Sequence, residues 1–153
     1  MIKASAGGGG RGMRVVRNEN ELIDGLAITM KEALSAFGSD VVYLEKYIEN
    51  PRHIEVQVVG DGKGNAIHLG TRDCSIQRRN QKIIEEAPAT GLNEKELEQV
   101  LSSCINLCEK LSYEGAGTIE FLYKDGKFFF IEMNARIQVC LLYTSPSPRD
   151  QSG

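Results

Sequence analysis

The stretch FFFIEMNARIQV, Phe128 to Val139, alternates strictly between two kinds of side chain. Successive side chains of a strand point to opposite faces. Phe128, Phe130, Glu132, Asn134, Arg136 and Gln138 therefore project one way, and Phe129, Ile131, Met133, Ala135, Ile137 and Val139 the other. The second set is wholly apolar and belongs against a core. The first lines up a carboxylate, an amide, a guanidinium and a second amide. Most alternating strands simply present a solvated face. This one carries no lysine on its polar side, and its groups suit a cation beside an anion. Oxygen donors of Glu and Asn suit Mg²⁺, and Arg grips a carboxylate or phosphate in fork geometry.

A second carboxylate, Glu120, lies on the preceding strand, and the turn decides whether it joins. A two-residue Asp125-Gly126 loop pairs Glu120 with Ile131 and sets Glu120 and Glu132 on opposite faces. A three-residue loop, Lys124 to Gly126 with Gly126 left-handed, pairs Glu120 with Phe130 and sets both acids on one face. A metal site here requires the longer loop.

The rest of the chain supplies partners for such a sheet. Met1 to Ala6 reads as a strand end running into a glycine-rich segment, Gly7 to Gly12. From Asn18 to Phe37, Leu22, Ile23, Leu26, Met30, Ala33, Leu34 and Phe37 recur at helical spacing, with Asn18 or Asn20 as cap and Gly38 as stop. VVYLEKYI, residues 41–48, reads as a buried strand. His53 to Gln77 reads as two strands joined by a Gly/Asp/Asn turn. Glu94 to Leu111 is a second amphipathic helix, with Leu97, Val100, Leu101, Cys104, Ile105, Cys108 and Leu111 on one face. Cys104 and Cys108 are core residues by default, although they sit one turn apart. The class is α+β, with antiparallel sheets and flanking helices.

Composition narrows the function. The 153 residues suffice for one sizeable core, and length alone suggests one domain. A net charge of -3 with both signs interspersed argues against a general nucleic-acid or membrane surface. The four cysteines show no CxxC spacing, so neither zinc nor a disulfide framework is indicated, and a reduced, cytoplasmic setting fits. GGGGRG is neither a P-loop nor placed as a dinucleotide fingerprint. Glycine loops nevertheless let backbone N–H groups approach phosphate, and Lys3 lies just upstream. By itself the run reads as a linker. RDCSIQRRNQK, Arg72 to Lys82, holds no aromatic to stack a base, so an anion site fits it better than RNA.

Together, MIKASAGGGGRGMRVV, YLEKYIENPRHIEVQVVGDGKGNAIHLGTRDCSIQRRNQK, EEAPA, GAGTIEFLY and FIEMNARIQV resemble the central ATP-grasp part of biotin carboxylase, the ATP-dependent component of acetyl-CoA carboxylase and related biotin enzymes. The likeness covers nearly all of residues 1–139 and implies a partial ATP-grasp domain with a glycine-rich flap. It implies that Lys3, Gly9 and Gly10 hold ATP phosphates, and that Glu45, Lys46, Tyr47 and Ile48 line the adenine pocket. His53, Gln77 and Asn80 are implied near the nucleotide, although many relatives carry histidine where this chain has Asn80. Glu120, Glu132 and Asn134 are implied ligands of Mg²⁺ or Mn²⁺. Lys82, Arg136, Gln138 and the Val139 backbone are implied to hold bicarbonate. The implied chemistry is phosphoryl transfer from ATP to bicarbonate, giving carboxyphosphate, and then carboxylation of biotin on a carrier protein. A biotin carboxyl carrier protein, a carboxyltransferase and a homodimeric parent enzyme come with it. A carbamoyl-phosphate-forming ATP-grasp ligase shares the carboxyphosphate step, and a non-catalytic nucleotide-binding fragment is the binding-module alternative.

The resemblance breaks after Val139. The family continues with a glutamate, the expected base for bicarbonate, followed by His-Pro; this chain has Cys140 and then LLYTSPSPRDQSG. Residues 140–153 are expected to be unrelated to the domain, as adapter or vector sequence joined to a truncated gene would be. The 153-residue chain alone is expected to bind nucleotide weakly at most and not to carboxylate biotin.

Overall fold

The structure is a computed structural model and describes residues 1–7, 11–78 and 81–136. Contacts divide the chain into two compact units. The first comprises residues 1–49 with 78–81, and the second residues 50–77 with those described from 82 on.

In the first unit, β1 (Ile2–Ala4) is the middle strand of a small antiparallel sheet, between β2 (Met13–Arg14) and β3 (Val42–Leu44). The expected helix forms as α1 (Glu19–Phe37). Asn18 caps it by accepting from the Glu21 amide, and Glu21 returns a carboxylate to the Arg17 amide. Gly38 ends it at φ 73, a left-handed conformation that glycine adopts without a Cβ clash. The buried stripe is Gly25, Thr29 and Ala33; of the apolar set expected only Ala33 is fully buried, and Ile23, Met30 and Leu34 are exposed. Small residues win because the helix lies close over β1 and β2: a Cβ on Gly25 would sit 3.0 Å from Ile2 Cδ1. Residues 41–48 also differ from expectation. Only Val42–Leu44 is strand, and Val41, Tyr43 and Leu44 are exposed.

The second unit is built on a five-stranded sheet in the order β6-β5-β4-β7-β8. Its strands are β4 (Arg52–Asp61), β5 (Ala66–Arg78), β6 (Gln81–Glu86), β7 (Glu114–Lys124) and β8 (Lys127–Asn134). Helix α2 (Glu94–Lys110) is capped by Asn93 and packs on one face. There Val56, Val58, Ile119 and Phe121 meet Cys104 and Cys108, with Phe128 and Met133 against them. Fully burying each Val or Ile contributes about 1.5–3 kcal/mol, so this cluster is what holds helix to sheet.

Among the described residues, Cys74, Cys104 and Cys108 are buried free thiols. Burial, helped by neighbouring Glu85 for Cys74 and by Cys108 for Cys104, pushes the Cys74 and Cys104 thiols up to about 12. Both should therefore resist iodoacetamide at neutral pH while the chain is folded and react on denaturation, because the thiolate is the nucleophile. Peptide mapping after native labelling checks this; modification of either residue in the folded chain would contradict it.

The β7–β8 hairpin corrects the expected register. Its loop has two residues, Asp125 at φ 50 and Gly126 at φ 77, between the paired Lys124 and Lys127. Two left-handed residues match the right-handed strand twist, so the short loop wins over the three-residue alternative. Tyr123 then pairs with Phe128 and Phe121 with Phe130. A bulge follows: Ile131 is the extra residue, and Glu120 pairs with Glu132 rather than with Phe130 or Ile131. The acids do share a face, through a bulge rather than a longer turn. The strict alternation fails across it. Phe128 and Phe130 lie on the side of Phe121 and Met133, while Phe129 lies with Glu132 and Asn134.

Candidate functional site

The polar side chains gather on the sheet face turned away from α2. Register places Glu55 (β4) opposite Glu120 (β7) on one side and Arg72 (β5) on the other, and Glu120 opposite Glu132 (β8). Acids facing one another across strands repel, and the cluster answers with cations. Lys82, from β6, places its ammonium against Glu55 Oε1 and 2.8 Å from Glu120 Oε1. Arg72 NH2 lies 2.6 Å from Glu55 Oε2, and Arg72 NH1 3.6 Å from Glu85 Oε2. Glu55 is fully buried, and Glu120 and Arg72 are each 5% exposed. These charges are tolerable only because they are paired.

His53 completes the cluster. The Gln77 amide nitrogen is 3.0 Å from His53 Nδ1 and donates a second bond to the Cys74 carbonyl. An amide nitrogen only donates, so Nδ1 accepts and the ring proton sits on Nε2. That atom lies 2.8 Å from Glu120 Oε2, outside hydrogen-bond angles. His53, Glu55 and Glu120 have ligand atoms close enough to share a cation, but the Lys82 ammonium already contacts both carboxylates.

The implied metal ligands fit the chemistry of a hard divalent cation. Glu120 is buried, Glu132 is exposed opposite it, and Asn134 donates Nδ2 to Glu120 Oε1 at 2.8 Å, which leaves its carbonyl oxygen as a donor. Desolvation opposes ionisation of Glu120, yet His53 and Lys82 outweigh it and hold the carboxyl down at about 2. The folded value lies below the ordinary 4.5. The stability this contributes is therefore fully present above pH 4.5 and is lost as pH falls toward 2. Urea midpoints followed from pH 6 to pH 2 should fall across that window more steeply for wild type than for Glu120→Gln. Parallel curves would contradict the pairing.

Other expected site residues divide as follows. Lys3 is half-buried on β1 with Nζ 2.5 Å from Glu45 Oε2, so the phosphate and adenine candidates of the first unit meet as an ion pair. Lys46, Tyr47 and Ile48 follow in the segment after β3, where Tyr47 is 39% exposed. Arg136 is exposed beyond the end of β8. Gly9, Gly10, Asn80, Gln138, Val139 and residues 140–153 lie outside the described residues. Sequence reasoning missed Glu55 and misread Arg72 as one charge in a basic run. The signal for Glu55 was present: it is the acid in HIEVQVV, on the parity of His53 and Gln57.

A family model described as "Carbamoyl-phosphate synthase L chain, ATP binding domain" matches residues 1–145. The biotin carboxylase of Pseudomonas aeruginosa is 61% identical over 139 residues, covering 91% of this chain and 31% of that protein. Among solved structures, a biotin carboxylase–β,γ-ATP complex from Campylobacter jejuni superposes with a TM-score of 0.84 at 57% identity, covering 90% of this chain and 31% of the other. The biotin carboxylase domain dimer of Hydrogenobacter thermophilus 2-oxoglutarate carboxylase, in complex with MgADP, ADP and bicarbonate, gives 0.83 at 54% identity over the same shares. The chain thus spans about 31% of the length of these relatives.

Proposed function

The chain belongs to the carbamoyl-phosphate synthase L chain ATP-binding-domain family and has the fold of an ATP-grasp fragment, and on that premise we propose that it is the nucleotide- and bicarbonate-handling part of a biotin carboxylase. The observation that carries the proposal is the facing pair Glu120 and Glu132, with Asn134 beside it and Lys82 bridging to the buried Glu55. This set combines hard oxygen donors with a cation suited to a small anion.

Each residue then has a task. In the first unit, Lys3 with Gly9 and Gly10 takes phosphate oxygens, and Glu45, Lys46, Tyr47 and Ile48 take the adenine. In the second, His53 and Gln77 contact the nucleotide, a task shared by Asn80 of the first, and Glu120, Glu132 and Asn134 would hold Mg²⁺ or Mn²⁺. When bound, the cation neutralises charge on the phosphoryl group being transferred. Lys82, Arg136, Gln138 and the Val139 backbone orient bicarbonate so that its oxygen attacks the γ-phosphorus, releasing ADP and forming carboxyphosphate. Little covalent work falls to the protein in such a transfer, so positioning and charge complementarity supply the catalysis. Carboxyphosphate delivers its carboxyl group to a ring nitrogen of biotin on a carrier protein, and the released inorganic phosphate takes the proton displaced from that nitrogen. A carboxyltransferase that passes the group to an acyl acceptor, acetyl-CoA among the candidates, and a homodimeric parent complete the assembly.

The test uses a full-length protein carrying this segment. Phosphate release from ATP should depend on bicarbonate and rise with free biotin. ATP cleavage indifferent to bicarbonate would overturn the proposal. Carbamoyl phosphate formed from ammonia would replace it with the other ligase chemistry.

A further inference from the structure

The site residues implied by family resemblance do not include the best-buried cation of the cluster. Arg72 sits on β5 at 5% exposure, between Glu55 of β4 and Glu85 of β6. Its NH2 lies 2.6 Å from Glu55 Oε2, and the other oxygen of that carboxylate contacts the Lys82 ammonium. Lys82 in turn reaches Glu120 Oε1 at 2.8 Å, and Asn134 reaches the same oxygen at 2.8 Å. Charges of alternating sign thus run from Glu85 through Arg72, Glu55 and Lys82 to Glu120, across β6, β5, β4 and β7.

We propose that Arg72 is a positioning residue for bicarbonate handling: it fixes the Glu55 carboxylate, which in turn fixes the Lys82 ammonium. The inference rests on the bicarbonate role proposed above for Lys82. The physical reason is the bridging geometry. A carboxylate held by one oxygen alone swings about its side-chain torsions, whereas one anchored at Oε2 presents Oε1 in a single place. A guanidinium suits the anchor because its rigid fork reaches acids on two neighbouring strands while staying charged in a buried site. A lysine there keeps the charge but offers one ammonium for Glu55 and Glu85 together, so Glu55 loses its defined orientation. The site then holds a correctly charged but displaced Lys82.

The test is Arg72→Lys in the full-length enzyme, with Glu85→Gln as a second variant that trims the far end of the chain and leaves Arg72 in place. Expected for Arg72→Lys is a rise of roughly ten- to a hundred-fold in KM for bicarbonate with KM for ATP within about two-fold of wild type, the pattern of a displaced bicarbonate ligand. Glu85→Gln should shift bicarbonate KM in the same direction by less. A structural role alone would lower the melting temperature of either variant and leave the bicarbonate-to-ATP KM ratio unmoved. That result overturns the proposal, as does an equal rise in both KM values. Should Arg72→Lys fail to fold, the same ratio measured on Glu85→Gln decides. Failure of the underlying reading shows separately, as wild-type ATP cleavage that ignores bicarbonate, and the inference falls with it.

Discussion

Replacing Glu55 by Ala should destabilise the fold by about 3–5 kcal/mol, the range for removing one partner of a buried ion pair. Glu55 is fully buried between the 5%-exposed Arg72 and the Lys82 ammonium. The substitution takes from Arg72 its partner at 2.6 Å and leaves the Glu85 carboxylate at 3.6 Å. Lys82 keeps Glu120 and a route to solvent, so the larger share of the loss falls on Arg72. The same change also opens a side-chain-sized space in β4 between β5 and β7. Urea denaturation of the 153-residue chain, read by far-UV circular dichroism, measures the shift in midpoint. A loss below about 1 kcal/mol, the median worth of an exposed ion pair, would show that water reaches the cluster and that the burial argument fails. Glu55→Gln, which keeps the shape and one hydrogen-bond acceptor, should lose less than Glu55→Ala.

Both helices, the long strands β4, β5, β7 and β8, and the grouping of Glu132 with Asn134 were legible in the sequence for local reasons, whereas β2 and β6 were not foreseen. Asn18 and Gly38 mark the ends of α1 by capping chemistry, and Cys104 and Cys108 fall on the buried face of α2 by period. Asp125-Gly126 marks the hairpin, and its preference for a two-residue turn was equally local. What the turn could not reveal was the bulge at Ile131, which depends on how β7 and β8 pack together. Counting parity from the turn therefore gave the wrong side for Phe128 and Phe130, although it identified Glu132 and Asn134 as polar-face neighbours. The small-residue stripe of α1 was hidden for a similar reason: closeness to β1 is a tertiary fact, and hydrophobic period favours the larger Ile23, Met30 and Leu34. The site divided along the same line. Family resemblance named His53, Lys82 and Glu120, which the structure brings within contact distance of one another or of Glu55. Glu55 and Arg72 carry no motif of their own, and their importance lies in burial and cross-strand register, which a single sequence does not display.

Glu120→Gln in the full-length enzyme should lower kcat/KM for ATP by roughly 10²–10³-fold, the loss typical of removing one preorganised electrostatic group at a transferring centre. Three contacts converge on this carboxylate: His53 Nε2 at 2.8 Å, Lys82 Nζ at 2.8 Å and Asn134 Nδ2 at 2.8 Å. An amide has nearly the same shape but no charge and only one acceptor oxygen. It keeps at most one of the Lys82 and His53 partnerships and turns a donor toward the other. The same change removes a charged oxygen ligand from the proposed cation site and reduces the charge facing Glu132, so cation affinity falls along with turnover. Two measurements separate these effects. Mn²⁺ binding followed by electron paramagnetic resonance should weaken in the variant, and raising Mn²⁺ should recover part of the ATP cleavage. A purely structural role for Glu120 predicts a lower melting temperature with unchanged Mn²⁺ affinity and no recovery. Retention of kcat/KM within about three-fold of wild type would remove Glu120 from the machinery, since group losses at such centres are far larger. Glu132→Gln offers the matching contrast: exposed and opposite Glu120, it should weaken Mn²⁺ binding while leaving the acid-pH stability window of Glu120 in place.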